Sequence, residues 1–114
     1  MLMCRCFVQQ GQISADQRAN LQTRLADSRR ALWPDAEGEM PVEWVEVAEG
    51  FGFTAAIPSQ SSVVASAVPD DTTQERRVQW MQSICDAWSA ETGCSVNDVV
   101  ATAVNLQAAI QAQS

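Results

Sequence analysis

The sequence predicts an α+β fold in which two βαβ units build one four-stranded sheet with two helices on one face. Three observations predict it: 114 residues suffice for one core, 46% of them are apolar, and strand–helix–strand patterns occur twice. A crossover helix of about 18 residues makes the two strands that it joins parallel, with a right-handed connection. We therefore expect a single domain over residues 1–114, with a first unit over about 2–48, a second over about 61–105 and a C-terminal tail over 106–114.

The first unit opens with a strand and a capped helix. Residues 2–8 form a run without a breaker, followed by a turn over 9–12. Ser14 and Gln17 have the spacing of a capping box, in which hydroxyl and amide side chains satisfy each other's backbone N–H groups. The helix ends before Pro34, which cannot continue the hydrogen-bond ladder. Its predicted apolar stripe consists of Leu21, Leu25, Ser28 and Leu32.

The second strand begins at Pro41 and alternates over residues 42–47, which predicts one partly covered face. Alternation places Trp44 with Val42 on one face, and Glu43, Val45 and Val47 on the other. Residues 49–53 predict a glycine-hinged turn, and residues 54–60 an irregular segment broken by Pro58.

The second unit repeats these elements after roughly 55 residues. Residues 61–68 predict a strand, and either Asp71 with Gln74 or Thr72 with Glu75 would cap the helix that follows. Gly93 predicts the end of that helix. Residues 99–104 predict a buried strand, and 106–114 a short helix. The predicted stripe of the long helix is Val78, Met81, Cys85 and Trp88, widened by Trp80 and Ile84.

Composition excludes several classes of function. Seven basic and fourteen acidic residues give a net charge of −7, which disfavours nucleic acid and membrane surfaces as partners. No apolar stretch approaches the roughly 20 residues of a membrane helix, and the first residues are too short an apolar run for a signal peptide. We therefore expect a cytoplasmic protein whose four cysteines are thiols. The absence of histidine excludes histidine triads and histidine-ligated zinc.

Cofactor and metal sites are not expected. Cys4 and Cys6 share a face of the first strand, but two thiolates make only half of a tetrahedral site. Cys85 and Cys94 show no zinc spacing, and we predict that all four cysteines are small buried hydrophobes. No glycine-rich phosphate loop or serine elbow occurs.

The chain resembles the tautomerase superfamily, in its longer 4-oxalocrotonate tautomerase-like and MIF-like members with two fused βαβ units. The resemblance spans Leu2 to Asn105 and is best over Pro58-Ser59-Gln60-Ser61-Ser62-Val63-Val64, the helix from Asp71, and Thr92-Gly93 through Asn97-Asp98 to Val99-Val100. It implies a homotrimer with an apolar pocket between subunits. The implied activity is isomerase-type proton transfer on a small carbonyl or enol acid.

The sequence departs from that family at its start. The family uses an N-terminal proline as general base, whereas here Met1 precedes Leu2 and no proline occurs before Pro34. The Met1 α-amine is the candidate replacement, because burial lowers an amine pKa from about 7.7–8.0 toward neutrality. Where longer relatives place arginines after the third strand, this chain has Pro69-Asp70-Asp71, and its acids would repel an acidic substrate.

The remaining candidate site residues are arginines and aromatics. Arg5 reaches a substrate carboxylate if its face of the strand is uncovered, and otherwise pairs with an acid. Arg76 and Arg77 point at an anion or a partner subunit, or are solvated. Trp44 and Phe53, with Phe51, line the pocket rim, or close the core or the trimer seam.

Two other functions or folds stay open at this stage. The scaffold could serve as a non-catalytic ligand-binding or structural trimer, since the start Met1-Leu2 lacks the proline. A dimeric ferredoxin-like barrel has the same element order, but its sheet is antiparallel.

Overall fold

The computed structural model describes residues 3–36, 38–48, 53–54, 57–58, 61–95 and 98–112. The first unit consists of β1 (Met3–Gln9), α1 (Ala15–Leu32) and β2 (Val42–Val47). A pair of two-residue strands follows, β3 (Phe53–Thr54) and β4 (Ile57–Pro58). The second unit consists of β5 (Ser62–Val68), α2 (Gln74–Thr92) and β6 (Val99–Asn105), and the chain continues into α3 (Leu106–Ala112).

The four long strands form one mixed sheet in the order β2-β1-β5-β6. β1 is parallel to β2 and β5 is parallel to β6, as the two crossover helices require. The two units join through the antiparallel pairing of β1 with β5. This topology confirms the predicted pair of βαβ units and rules out the fully antiparallel ferredoxin-like sheet.

The antiparallel pairing of β3 with β4 was not predicted. Thr54 pairs with Ile57 and Phe53 with Pro58, where the sequence indicated an irregular segment. The strands are two residues long and one contains a proline, so neither shows the alternation that identifies a strand.

The caps of the two helices differ. At α1 the capping box is present: the Gln17 amide donates to Ser14 Oγ at 3.1 Å, and the Ser14 amide donates to Gln17 Oε1 at 2.9 Å. Both predicted caps of α2 were wrong, because the N-cap is Thr73, whose hydroxyl accepts from the Arg76 amide at 3.2 Å. Arg76 at the third helical position cannot return the bond, so no capping-box spacing marks this start.

The C-terminal end of α2 follows the prediction. Gly93 has φ +73°, the left-handed conformation that glycine adopts without a Cβ clash, and its amide donates to Ser89 O at 2.9 Å.

The core lies between the sheet and the two helices. From the helices it takes Leu21 and Leu25 of α1 and Trp80, Ile84 and Trp88 of α2, and the sheet supplies Cys4, Cys6, Val8, Val64, Val68 and Val99. The buried face of α2 therefore differs from the predicted apolar stripe. Val78 is 47% exposed, whereas Trp80 and Ile84, predicted only to widen the stripe, are fully buried. The larger apolar area of tryptophan decides which face of the helix turns inward.

The two units are related by an internal two-fold axis. Glu46 is the β2 neighbour of Val8, and Asn105 is the β6 neighbour of Val68, so Val8 and Val68 are equivalent positions 60 residues apart. By the same spacing Arg5 is equivalent to Ala65, which is also its direct partner across β1 and β5. The axis thus passes between these two strands at Arg5, and the repeat is 59–60 residues long rather than the expected 55.

None of the helices in the described residues has the length and apolar character of a membrane span.

Candidate functional site

One face of the sheet is not covered by helices. Strand alternation places Met3, Arg5 and Phe7 of β1 on this face, with their partners Ala65 and Val63 of β5. Apolar side chains on this face are solvent-accessible, and Val63, Val100 and Val104 are 37%, 49% and 45% exposed. The predicted uncovered face therefore exists, and in the isolated chain it is predominantly apolar.

A cavity of about 240 Å³ opens near the start of β1, largely on this face. Its walls are mostly apolar, and it has one charged residue from β1 and one from β2. The lining residues are Met3, Cys4, Arg5, Phe7, Glu43, Ala65, Ser66, Ala67 and Val104.

Arg5 and Glu43 form an ion pair inside this cavity. The two residues are neighbours across β1 and β2, and Arg5 Nε donates to Glu43 Oε2 at 2.9 Å. Their side chains are 46% and 60% exposed, so the pair adds little stability. The terminal nitrogens of Arg5 have no partner among the described residues and remain available for a second carboxylate. Arg5 thus lies on the uncovered face and also pairs with an acid, while its contact with a substrate carboxylate stays a prediction.

Glu43 was not among the sequence candidates. The alternation of β2 did place it opposite Trp44, on the face with Val45 and Val47. What the sequence lacked was the register of β2 against β1, which brings Glu43 directly beside Arg5.

Trp44 lies on the other face of the sheet, against the helices. Its ring packs on that of Trp88 with centroids 5.9 Å apart, and the Arg18 guanidinium lies 5.3 Å from the Trp44 centroid. Arg18 also pairs with Glu46, which is on the same face as Trp44. The structure therefore places Trp44 in the packing between sheet and helices and away from the cavity with Arg5.

Arg77 and Arg76 have different environments on α2. Arg77 is half-buried and donates to Ala103 O at 2.8 Å and to Asn105 Oδ1 at 2.7 Å, which ties the helix to the end of β6. Arg76 is exposed. Neither residue lines the cavity that contains Arg5.

Two candidates and one turn fall beyond what the structure describes. Met1 lies outside the described residues, as do Phe51 and the glycine-hinged turn apart from Phe53. Phe53 belongs to β3, and its side chain is outside the description.

Asp70, expected to repel an acidic substrate, has a structural contact. Its Oδ1 accepts a hydrogen bond from the Gln107 amide at 3.0 Å, at the first turn of α3. The aspartate thus connects the end of β5 with the start of α3.

The four cysteines are free thiols in two environments. Cys4 and Cys6 are buried, and burial raises the pKa of each to about 12, with the nearby Cys4 charge adding to the effect at Cys6. The pKa of the half-buried Cys85 is also raised, by burial first and then by Asp86 and Cys94. Cys4 and Cys6 are therefore protonated at neutral pH and unsuited to nucleophilic chemistry.

Sequence comparisons reach part of the chain. The family model described as "Sirohaem biosynthesis protein C-terminal" matches residues 63–111, which is less than half of the chain. No curated protein matches the sequence.

Comparison with solved structures covers nearly the whole chain. The native structure of Ps01740 has a TM-score of 0.86 at 22% identity, covering 91% of this chain and 93% of that one. A wild-type symmetric trimer of a fused 4-OT, Q0, has a TM-score of 0.82 at 16% identity, covering 91% and 85%. Pt0534 inactivated by 2-oxo-3-pentynoate has a TM-score of 0.82 at 15% identity, also covering 91% and 85%. The chain thus has the tautomerase fold.

Proposed function

We propose that this chain, which has the tautomerase fold, is an isomerase that moves a proton next to the carbonyl of a small carbonyl or enol acid. The observation that carries the proposal is the position of Arg5: a guanidinium with free terminal nitrogens in a mostly apolar cavity on the uncovered face. Such a cation binds a substrate carboxylate in a bidentate manner. A structure with the same fold, Pt0534, is inactivated by a 2-oxo acid, which supports this class of ligand.

The proposed base is the Met1 α-amine. Met3, which follows Met1 by two residues in the sequence, lines the cavity. The neutral amine takes the proton from the carbon beside the carbonyl. The C–H electron pair becomes the C=C bond, the carbonyl π pair moves to oxygen, and water protonates that oxygen to give the enol. The hydroxide left by that water takes the proton from the ammonium, which restores the neutral amine. The reverse path returns the proton to carbon, so the step needs no cofactor.

The proposed assembly is a cytoplasmic homotrimer. The uncovered apolar face and the two exposed sheet edges, β2 and β6, favour association with other copies. Q0, which shares the fold, is a trimer. Light scattering should give three chains of 12.4 kDa, about 37 kDa, and a monomer in dilute buffer contradicts this assembly.

The chain offers a direct test of the amine. It contains no lysine, so the α-amine is the one amino group that an amine-acylating reagent can modify. We expect acceleration of phenylpyruvate enol–keto conversion over buffer, with one amine-like titration in the rate profile that acetylation removes. Mass spectrometry of the mature chain tests whether Met1 carries the free amine. Activity that survives acetylation removes Met1 from the mechanism.

The role of Arg5 has its own test. Arg5→Gln keeps a polar amide but removes the charge and shortens the side chain, so the KM for the acid should rise about 10- to 100-fold. Arg76→Gln is the comparison, since Arg76 does not line the cavity. A larger effect at Arg76 transfers the carboxylate site to α2.

The alternative function is a non-catalytic ligand-binding or structural trimer. The observation that favours it is the start Met1-Leu2, with no proline before Pro34. Carboxylate binding that depends on Arg5, without acceleration of enol–keto conversion, supports this alternative over the isomerase.

A further inference from the structure

We propose that Glu43 makes the cavity selective for acids with one carboxylate over acids with two. The ligand class is then a monocarboxylic 2-oxo acid with an apolar substituent. This inference rests on the function proposed above, because it concerns the same cavity.

The charges in the cavity wall are the first argument. Arg5 and Glu43 are the charged residues among those that line it, and their charges cancel. One bound carboxylate on Arg5 leaves the site with a net charge of −1. A second carboxylate on the same ligand makes the net charge −2, and the described lining contains no further cation to compensate that charge.

The geometry of the ion pair is the second argument. Glu43 occupies Nε of Arg5 at 2.9 Å and leaves the two terminal nitrogens. Those nitrogens present one fork, which accommodates one carboxylate. Glu43 therefore orients the guanidinium and at the same time repels a second anionic group.

The apolar wall is the third argument. Beyond Arg5 the cavity is bounded by side chains such as Met3, Phe7 and Val104, which do not solvate an ion. A carboxylate placed against them loses hydration without gaining a hydrogen bond, whereas an alkyl or aromatic group gains contact.

Two arginines at equivalent positions of the two units do not supply the missing positive charge. Arg18 pairs with Glu46, and Arg77 is bonded to Ala103 and Asn105, all toward the helix side of the sheet. Neither Arg18 nor Arg77 lines the cavity. At a partly exposed site, the repulsion between Glu43 and a second bound carboxylate corresponds to about a tenfold loss of affinity.

Calorimetric binding of two matched acids tests the inference. 2-Oxopentanoate and 2-oxoglutarate have equal chain lengths and differ in whether the last carbon is a methyl group or a carboxylate. We expect the native chain to bind the monoacid at least about tenfold more tightly. Glu43→Gln should reduce this ratio severalfold, mainly by improving binding of the diacid.

Glu46→Gln is the matched control. It removes the same charge from the same strand, but on the helix side, so it should leave the ratio unchanged. A native preference for the diacid, equal affinities, binding of neither acid, or a ratio that Glu43→Gln does not change would overturn the inference.

Turnover separates this inference from the proposed function. A Glu43-dependent preference without enol–keto conversion leaves the selectivity standing and refutes the isomerase. Enol–keto conversion without any preference between the two acids supports the isomerase and refutes the selectivity.

Discussion

Arg77 repeats in the second unit the contact that Arg18 makes in the first. Each is the fourth residue after its helix N-cap. Each contacts a residue of its unit's second strand, and that residue pairs with the last buried valine of the unit's first strand. Arg18 pairs with the Glu46 carboxylate, and Arg77 donates to the Asn105 side-chain oxygen at 2.7 Å. The duplication is therefore visible in side-chain contacts as well as in topology.

The Arg77 contact should contribute measurably to stability. Arg77→Ala removes two hydrogen bonds from a charged donor, including one to the Ala103 carbonyl, and should lower the free energy of unfolding by about 2 kcal/mol. Arg76→Ala, at the exposed neighbouring position, should change it by less than about 0.5 kcal/mol. Urea denaturation measures both, and equal effects would show that the contact is dispensable.

Two buried serines of β5 give a second prediction. Ser66 accepts from Trp80 Nε1 at 3.0 Å and donates to Thr102 O at 2.6 Å, so Ser66→Ala leaves a buried indole N–H unpaired. We expect a loss of about 2 kcal/mol in unfolding free energy. Ser62 is buried to a similar degree, but its hydroxyl has no hydrogen-bond partner among the described residues, so Ser62→Ala should be neutral or slightly stabilising. A larger loss at Ser62 would contradict this account.

The buried thiols predict a loss of stability at alkaline pH. Cys4 and Cys6 ionise near 9.0 when unfolded, but burial raises the folded pKa of each to about 12. Their protonated form therefore stabilises the fold fully below pH 9, and this contribution is lost as pH rises from 9 toward 12. The slope should approach 1.4 kcal/mol per pH unit for each thiol.

The chain suits this measurement because it lacks lysine, tyrosine and histidine. Cysteines are thus the side chains that titrate between pH 9 and 12, since arginine remains charged. Urea unfolding at pH 7, 9 and 10.5 gives the slope, and Cys6→Ala should reduce it by one thiol's share. A slope that Cys6→Ala leaves unchanged would assign it to other groups.

The proposed trimer predicts a position-specific effect of charge on the uncovered face. Val100 and Val78 are 49% and 47% exposed, Val100 on the sheet and Val78 on α2. Val100→Glu should shift the mass in light scattering from about three chains toward one, because it places a carboxylate in the interface. Val78→Glu should leave the mass unchanged. Dissociation by Val78→Glu alone would place the interface on the helices instead.

The fold could be predicted because local signals agreed with topology. Two crossovers of helix length fix two parallel strand pairs, and the Ser14–Gln17 box and Gly93 mark helix ends by their own chemistry. The prediction of where α2 starts was wrong because a lone Thr73 cap lacks a reciprocal partner. The prediction of its buried face was wrong because two tryptophans, Trp80 and Trp88, outweigh the smaller residues of the predicted periodicity.

The candidate site was predicted only in part. The sequence singled out Arg5 and said that its role depended on which face the helices leave open, a question that the strand alternation alone does not answer. Glu43 was missed because its importance comes from the register between two strands far apart in sequence. For Trp44 the sequence left the pocket rim and the core or trimer seam open, and its ring contributes to the packing of the sheet on α2.

The two-fold axis of the duplication passes beside Arg5, and the position equivalent to Arg5 in the second unit is Ala65. The neighbour of Ala65 in β6 is Thr102, where the first unit has Glu43. The duplicated architecture therefore carries its acid–base pair in one half only. This asymmetry gives an expected binding stoichiometry: one carboxylate site of the proposed kind per polypeptide, so the proposed trimer should saturate at three ligands instead of six.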